Sequence, residues 1–140
     1  MTGAGRGLGA VASLALAQAG AELLLLSRTR SELEEIQAKI INGGGRAKVL
    51  VCDVTDSTQL ASAFDRLDRL DILVNNAGMN IPEPFVEVSE PHLDEMLALN
   101  VRAAFLAAQA AVRKMLEAQD RIVKGGVIIN VSSQMGHVGA

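Results

Sequence analysis

The stretch TGAGRGLG, residues 2–9, decides how the rest of this chain is interpreted. Gly3, Gly7 and Gly9 carry no Cβ, so the backbone can turn sharply there and bring its N–H groups against a phosphate. The alanine-rich segment 10–19 follows at once and is predicted to be a helix, whose positive end favours an anion. The stretch therefore predicts a phosphate-binding loop. For the loop alone, a flexible glycine-rich terminus is the alternative.

Downstream of the loop, apolar strand patterns alternate with helix patterns, which is typical of an α/β fold with a parallel sheet and helices on both faces. Strands are predicted at 23–26, 49–52, 72–74 and 127–131, and helices at 30–41, from 56 to 67 and at 90–119. Thr29 with Glu32 has the spacing of a capping box, and Asp56 with Gln59 is predicted to begin a helix. Prolines in the loop 79–88 exclude regular structure there.

Polar residues follow each predicted strand. They are Ser27 and Arg28, then Asp53, then Asn75 and Asn76, then Ser132 and Ser133. The carboxyl ends of parallel strands lie along one edge of the sheet, where open α/β sheets bind ligands. Taken singly, each position also fits the polar turn that any strand needs.

Composition narrows the class of protein. The 140 residues make one domain at most, and the net charge of −3 with no Trp or Tyr argues against a nucleic-acid partner. No apolar run is expected to be long enough to cross a bilayer, so we expect no membrane segment. A signal peptide at the start is disfavoured, because its apolar part is mostly alanine.

The single cysteine and the two histidines suggest no chemistry of their own. Cys52 cannot form an internal disulfide, which fits a reducing, cytoplasmic compartment, and its strand-like context predicts a small buried hydrophobe rather than a nucleophile. His92 and His137 do not have metal-ligand spacing, so no metal is predicted.

With its T-G-x-x-x-G-x-G pattern at 2–9 and N-N-A-G at 75–78, the chain resembles the classical short-chain dehydrogenase/reductase family over nearly its whole length. The resemblance implies a Rossmann-like doubly wound sheet and an NAD(P) site. It implies that the cofactor contacts include Gly3, Gly7, Leu8, Gly9, Asp53, Val54, Asn76, Ala77 and Gly78, with Asp53 and Val54 at the adenine ring.

The choice between NADP and NAD can be argued from charge. An NAD site usually has an acidic residue after the second strand, but this chain has Ser27 there, followed by Arg28. A cation at Arg28, joined by Arg6, would attract a 2′-phosphate. NADP is therefore predicted, with NAD as the alternative if Arg28 is merely a solvated residue at a helix start.

The resemblance also supplies catalytic candidates. Asn100 matches the family's active-site asparagine, and Ser133, with Gly136 three residues on, matches its catalytic serine. From the residues alone, Asn100 lies on an apolar helix stripe and is expected to be a buried amide, or one that kinks the helix or lies at an interface; Ser133 is equally a strand cap. The family's proton donor is a tyrosine beyond the serine, with a lysine four residues later, and this chain has no tyrosine.

The resemblance further implies an apolar first strand before Thr2, between the strands at 23–26 and 72–74, of which only Met1 is present. The chain is therefore expected to be an incomplete Rossmann domain that ends before Tyr-x-x-x-Lys and folds poorly alone. The complete protein is expected to be a homodimer or homotetramer through helix 90–119, which is apolar on two sides.

The predicted function is an NADP-dependent oxidoreductase that interconverts a ketone and a secondary alcohol of 3-oxoacyl or sugar/polyol type. The alternative is a non-catalytic dinucleotide-binding or interaction module. Candidates to contact the substrate are the loop 79–85, Gln134, Met135 and His137.

Overall fold

A computed structural model describes residues 1–134, without the side chain of Ile122. The predictions for Met135, Gly136 and His137 therefore lie outside the described residues. Within them, strands and helices alternate as predicted. The α-helices are α1 (Gly7–Gln18), α2 (Arg30–Asn42), α3 (Ser57–Asp65), α4 (Glu90–Leu97), α5 (Ala104–Leu116) and α6 (Arg121–Lys124), and the strands are β1 (Glu22–Ser27), β2 (Arg46–Val51), β3 (Ile72–Asn75) and β4 (Val127–Asn130).

The strands form two parallel pairs, β1 with β2 and β3 with β4, on either side of the first two residues. The Leu26 N–H donates to the Met1 carbonyl at 3.0 Å, while the Thr2 N–H donates to the Val74 carbonyl at 3.0 Å. Met1 and Thr2 thus lie between β1 and β3, in the central position that the sequence assigned to a first strand.

The sheet is covered on both faces, and the leucines of β1 show how. Leu23 and Leu25 pack with α1 and α2 in one core cluster, whereas Leu26 packs with α3 and α5 in the other. Successive side chains of a strand point to opposite faces, so a strand covered on both sides is apolar at every position. Burial on both faces of the sheet therefore explains why residues 23–26 are all leucine.

Several element boundaries differ from the prediction. The second strand begins at Arg46, three residues before its predicted start, and ends at Val51, so Cys52 lies just after it. Cys52 is buried as expected, and its N–H donates to the Ser27 carbonyl at 3.0 Å. The 79–88 loop contains a 3₁₀ turn at Phe85–Glu87, and the short helix α6 was not predicted.

Only one of the two predicted helix caps forms. The Asp56 side chain accepts hydrogen bonds from the N–H groups of Thr58 and Gln59 at the start of α3. Thr29 lies at the N-cap of α2, but its side chain makes no capping hydrogen bond, so the prediction of a capping box was wrong.

The long helix is interrupted by a π-helical segment, Ala98–Ala103, between α4 and α5. Its buried face consists of Ala103, Ala107, Ala111 and Met115. Most of its larger apolar side chains are exposed instead, including Val101 at 59 % and Phe105 at 66 %. These larger side chains form the apolar side of the helix that the sheet does not cover. Small side chains allow the helix to approach β3 and α3 closely, so the alanine face is the one that packs.

The helical run Glu90–Leu116 is 27 residues long and contains an 18-residue window with a mean hydropathy of 1.2, which meets the length and composition of a membrane span. The expectation that no apolar run is long enough was therefore wrong. Ala107 and Ala111 of the same run pack into the core cluster with Leu60 and Phe64 of α3, as in the core helix of a folded domain.

Candidate functional site

An open cleft with a volume of about 540 Å³ lies at the carboxyl ends of β1, β2 and β3. All twelve residues predicted to contact a cofactor line it: Gly3, Arg6, Gly7, Leu8, Gly9, Ser27, Arg28, Asp53, Val54, Asn76, Ala77 and Gly78. The structure thus brings together residues that are up to 75 positions apart in the sequence, as the parallel arrangement of the strands requires.

Tight packing fixes the glycine loop. Gly3 has φ of +64°, which favours glycine, and a Cβ added at Gly9 would lie 2.1 Å from the Gly3 carbonyl oxygen. Helix α1 therefore begins directly against the turn, and no larger residue than glycine fits at position 9 without moving the backbone.

Hydrogen bonds tie this loop to the end of β3. The Thr2 hydroxyl accepts from the N–H groups of Asn76 and Ala77, both at 3.0 Å. The Asn76 side-chain amide donates to the carbonyls of Thr2, at 3.1 Å, and Gly3, at 3.3 Å. Thr2 and Asn76 therefore position the loop, so that its shape is set before any ligand binds.

The start of α1 fits an anion. The first backbone hydrogen bond of this helix is donated by the Ala10 N–H to the Arg6 carbonyl. Arg6 is the N-cap residue, and its side chain makes no capping hydrogen bond. The preceding N–H groups of Gly7, Leu8 and Gly9 therefore have no partner within the helix. A Cβ added at Gly7, whose φ is +55°, would meet nothing within 4 Å, so the backbone there borders open space. This arrangement can hold a pyrophosphate.

Asp53 and Cys52, just after the end of β2, also line the cleft. Asp53 Oδ1 accepts from the Thr55 N–H at 3.0 Å and the Thr55 hydroxyl at 2.7 Å, which fixes the turn after β2. Burial raises the pKa of the Cys52 thiol, with Asp53 and Asp56 adding to the effect. The thiol is thus kept protonated, which disfavours a nucleophilic role.

Charges of both signs lie near Ser27. Arg28 is exposed and has no ion-pair partner within residues 1–134, while Glu32 of α2 also lines the cleft. From the sequence, Glu32 is predicted only as part of a capping box. Its approach to the glycine loop depends on how α2 packs beside α1, which no local pattern reveals.

The two catalytic candidates do not line this cleft. Asn100 lies in the π-helical segment and is exposed, so the expectation of a buried amide was wrong. Its Oδ1 accepts from the Met79 N–H at 2.9 Å and its Nδ2 donates to the Met79 carbonyl at 2.8 Å. Ser133 is exposed beyond β4.

Glu83 and His92 join the 79–88 loop to α4, a contact that no sequence pattern predicts. His92 Nδ1 and Glu83 Oε1 lie 2.7 Å apart. In residues 1–134 there is no group of three or more His, Cys, Asp or Glu side chains that could hold a metal ion.

Comparison with known proteins agrees with this geometry. The short chain dehydrogenase family model matches residues 1–140. An uncharacterized oxidoreductase of Mycobacterium tuberculosis is 42 % identical, matching all of this chain and 53 % of its own length. The cyclopentanol dehydrogenase of a Comamonas species is 35 % identical over all of this chain and 56 % of its own length.

Among solved structures, a metagenomic short-chain oxidoreductase in complex with NADP superimposes with a TM-score of 0.82 at 31 % identity, covering 94 % of this chain and 59 % of the other. The chain spans about half the length of the curated relatives it matches. Its Rossmann-like fold, its glycine loop and the family-model match over residues 1–140 show that the chain belongs to the short chain dehydrogenase family of oxidoreductases.

Proposed function

We propose that this chain forms the dinucleotide-binding part of an NADP-dependent oxidoreductase that interconverts a ketone and a secondary alcohol. The observation that carries the proposal is the cleft itself, which is lined both by the start of α1, whose first N–H groups have no partner within the helix, and by Arg28. The amides of Gly7, Leu8 and Gly9 would hold the pyrophosphate.

The other residues of the cleft are assigned to the two ends of the cofactor. Asp53 and Val54, after β2, would lie against the adenine ring, with Val54 offering a buried apolar surface. Asn76, Ala77 and Gly78 would line the path of the cofactor toward the substrate, and Asn76 also holds the glycine loop in place.

Arg28 is assigned to the 2′-phosphate of NADP. It is exposed and lines the cleft without an ion-pair partner in the described part of the chain, and Arg6 lines the same cleft. A guanidinium binds a phosphate in a bidentate manner, so an unpaired arginine here favours NADP over NAD. The solved relative with NADP is consistent with this choice.

A bound nicotinamide would supply or accept the hydride of the reaction. Ser133 would hydrogen-bond the substrate oxygen, and Asn100 would keep Met79 in position at the edge of the cleft. The loop 79–85 and Gln134 would contact the substrate. The cyclopentanol dehydrogenase relative is consistent with a secondary alcohol, and a 3-oxoacyl or sugar/polyol substrate fits the same mixture of polar and apolar groups.

One observation favours a second function. The 140 residues contain no tyrosine, so none of them is the phenol that donates the proton in the family mechanism. The groups present can bind and orient a substrate. A non-catalytic dinucleotide-binding or interaction module is therefore the second candidate.

We further propose that the exposed apolar face of the helical run, defined by Leu93, Leu97, Val101, Phe105, Val112 and Leu116, packs against another copy of the chain. A homodimer or homotetramer would bury these side chains. A cytoplasmic location is proposed from the single, buried cysteine.

Titration of NADPH and NADH, with a ketone-reduction assay on the same sample of the protein as its gene encodes it, tests the proposal. NADPH should bind more tightly, and Arg28→Asp should reverse the preference. Arg30→Asp is the matched control, because Arg30 pairs with Glu34 on the exposed side of α2. Binding with turnover supports the enzyme, whereas binding without turnover supports the module. An unchanged preference in Arg28→Asp contradicts the role of Arg28.

A further inference from the structure

The carboxylate of Glu32 meets the glycine loop at one defined point. A Cβ added at Gly5 would lie 2.9 Å from Glu32 Oε2 and 3.0 Å from Ser27 Oγ. Gly5, Ser27 and Glu32 therefore surround one small region of the cleft wall, and Arg28 lines the same cleft. A negative charge thus lies close to the hydroxyl of Ser27, in a cleft that Arg28 also lines.

No cation in residues 1–134 neutralises Glu32. Its neighbours on α2 are paired, Glu34 with Arg30 at 3.5 Å and Glu35 with Lys39 at 2.6 Å. Glu32 is half-buried and has neither a hydrogen bond nor an ion pair within the described part of the chain. Its oxygens are therefore free to accept hydrogen bonds from a ligand in the cleft.

We infer that Glu32 is a determinant of cofactor choice that opposes Arg28. The inference rests on the proposed function, because it assumes that a dinucleotide binds with its adenosine ribose near Ser27. The Glu32 carboxylate would accept hydrogen bonds from the ribose hydroxyls of NAD and repel the 2′-phosphate of NADP. Arg28 would do the reverse, so the protein is expected to use both cofactors, with a modest preference set by the balance.

The size of the effect follows from Coulomb's law. A carboxylate and a phosphate a few ångströms apart near a protein surface interact strongly enough to change relative affinity by roughly five- to tenfold. Loss of the ribose hydrogen bonds would weaken NAD binding and change the ratio in the same direction. Because the cleft is open, part of the effect should disappear at high salt.

A helix-stabilising role for Glu32 makes a different prediction. A carboxylate in the first turn of α2 interacts favourably with the helix dipole, and its loss would lower thermal stability without changing the ratio of affinities for the two cofactors. The ratio is therefore the decisive measurement.

The test compares Glu32→Gln, which keeps the shape of the side chain, with Glu35→Gln on the solvent side of α2. Dissociation constants for NADPH and NADH are measured by fluorescence titration at low and high ionic strength, in the protein as its gene encodes it. Glu32→Gln should raise the preference for NADPH by about five- to tenfold at low salt, and less at high salt. Glu35→Gln should leave the preference unchanged.

Two results would overturn the inference. If Glu32→Gln leaves the preference unchanged while Arg28→Asp reverses it, Glu32 has no part in cofactor choice, yet the proposed function stands. If the unsubstituted protein binds neither nucleotide, the proposed function and the inference fall together.

Discussion

The side-chain amide of Asn100 is paired on both sides with the backbone of Met79, accepting from its N–H at 2.9 Å and donating to its carbonyl at 2.8 Å. Asn100 lies in the π-helical segment, whereas Met79 lines the cleft. A Cβ added at Gly78 would lie 3.3 Å from Asn100 Oδ1, so the two segments also pack closely. The long helix therefore fixes the cleft wall after β3.

Asn100→Ala should loosen this wall without unfolding the protein. Both hydrogen bonds are lost, and we expect about 1–2 kcal/mol less protection for the segment around Met79. Amide hydrogen exchange of residues 77–80 measures the change. Gln109→Ala, an exposed substitution on α5, is the control and should leave exchange there unaltered. Equal protection in both variants would show that the pairing does not order the wall.

The position of Asn100 shows what the sequence could and could not predict. Asn100 was correctly predicted to lie on the long helix. The spacing of an ideal α-helix also placed it on an apolar stripe and so predicted a buried amide, but its side chain is exposed. In a π-helical segment the turn takes in an extra residue, which rotates the following side chains by about 100° relative to an ideal helix. Helical periodicity also does not predict which of the two apolar faces packs on the sheet. In the structure it is the face that contains the alanines.

Cleft residues at strand ends were predictable, because parallel strands place their carboxyl ends together and Arg28 and Asp53 follow such strands. The position of Glu32 in the cleft and the burial of Arg121 were not predicted, because segments distant in sequence form the surroundings of both side chains. Arg121, for example, donates to the Leu70 carbonyl at 2.7 Å and to Asp71 Oδ1 at 3.2 Å.

Gly9→Ala should destabilise the fold through a backbone clash. The new Cβ would lie 2.1 Å from the Gly3 carbonyl oxygen and 2.5 Å from Asn76 Nδ2. Relieving such overpacking costs about 1–3 kcal/mol or more. The expected result is a lower midpoint of urea unfolding. Gly43→Ala is the control, because its added Cβ would have only ordinary contacts at 3.4 Å and beyond. A Gly9→Ala midpoint equal to that of the control would contradict the clash.

Arg121→Met should cost more than an ordinary surface substitution. The Arg121 side chain is only 9 % exposed, and besides Leu70 and Asp71 its Nε donates to the Met115 carbonyl at 2.9 Å. Its loss removes hydrogen bonds to the Leu70, Met115 and Gly125 carbonyls, for which we expect about 1–3 kcal/mol. Chemical unfolding measures the change, with Arg113→Met on the exposed side of α5 as the control. Similar losses in the two variants would argue against the buried arginine as a stabilising contact.

Phe105→Glu should shift the protein toward monomers if the exposed apolar face of the helical run joins two copies. Phe105 is 66 % exposed in the single chain, and a symmetric interface would bring two new carboxylates together. Sedimentation velocity measures the shift. Ala38→Glu adds the same charge at an exposed position of α2, away from this face, and should dissociate the assembly less. A sedimentation coefficient unaffected by Phe105→Glu would exclude this face as the interface.

A chain that has a free amine at Met1 should show a stability that depends on pH. The Met1 amine donates to the Leu24 carbonyl at 2.9 Å, and burial lowers the pKa of this amine from 8.0 to about 6. Between these values the unfolded chain binds more protons than the folded chain, so stability rises with pH from about 6 to 8. A lowering of about two pKa units, from 8.0 to about 6, corresponds to roughly 2–3 kcal/mol.

Urea unfolding of chain with a free Met1 amine, at pH values from 6 to 8, measures this gain. Chain acetylated at Met1 is the control, because it keeps an N–H for the Leu24 carbonyl and both histidines but has no amine to titrate. The stability of the free chain should therefore rise with pH more steeply than that of the acetylated chain. Parallel pH profiles for the two chains would mean that the amine is solvated in the folded state, and that Met1 does not occupy the central position between β1 and β3.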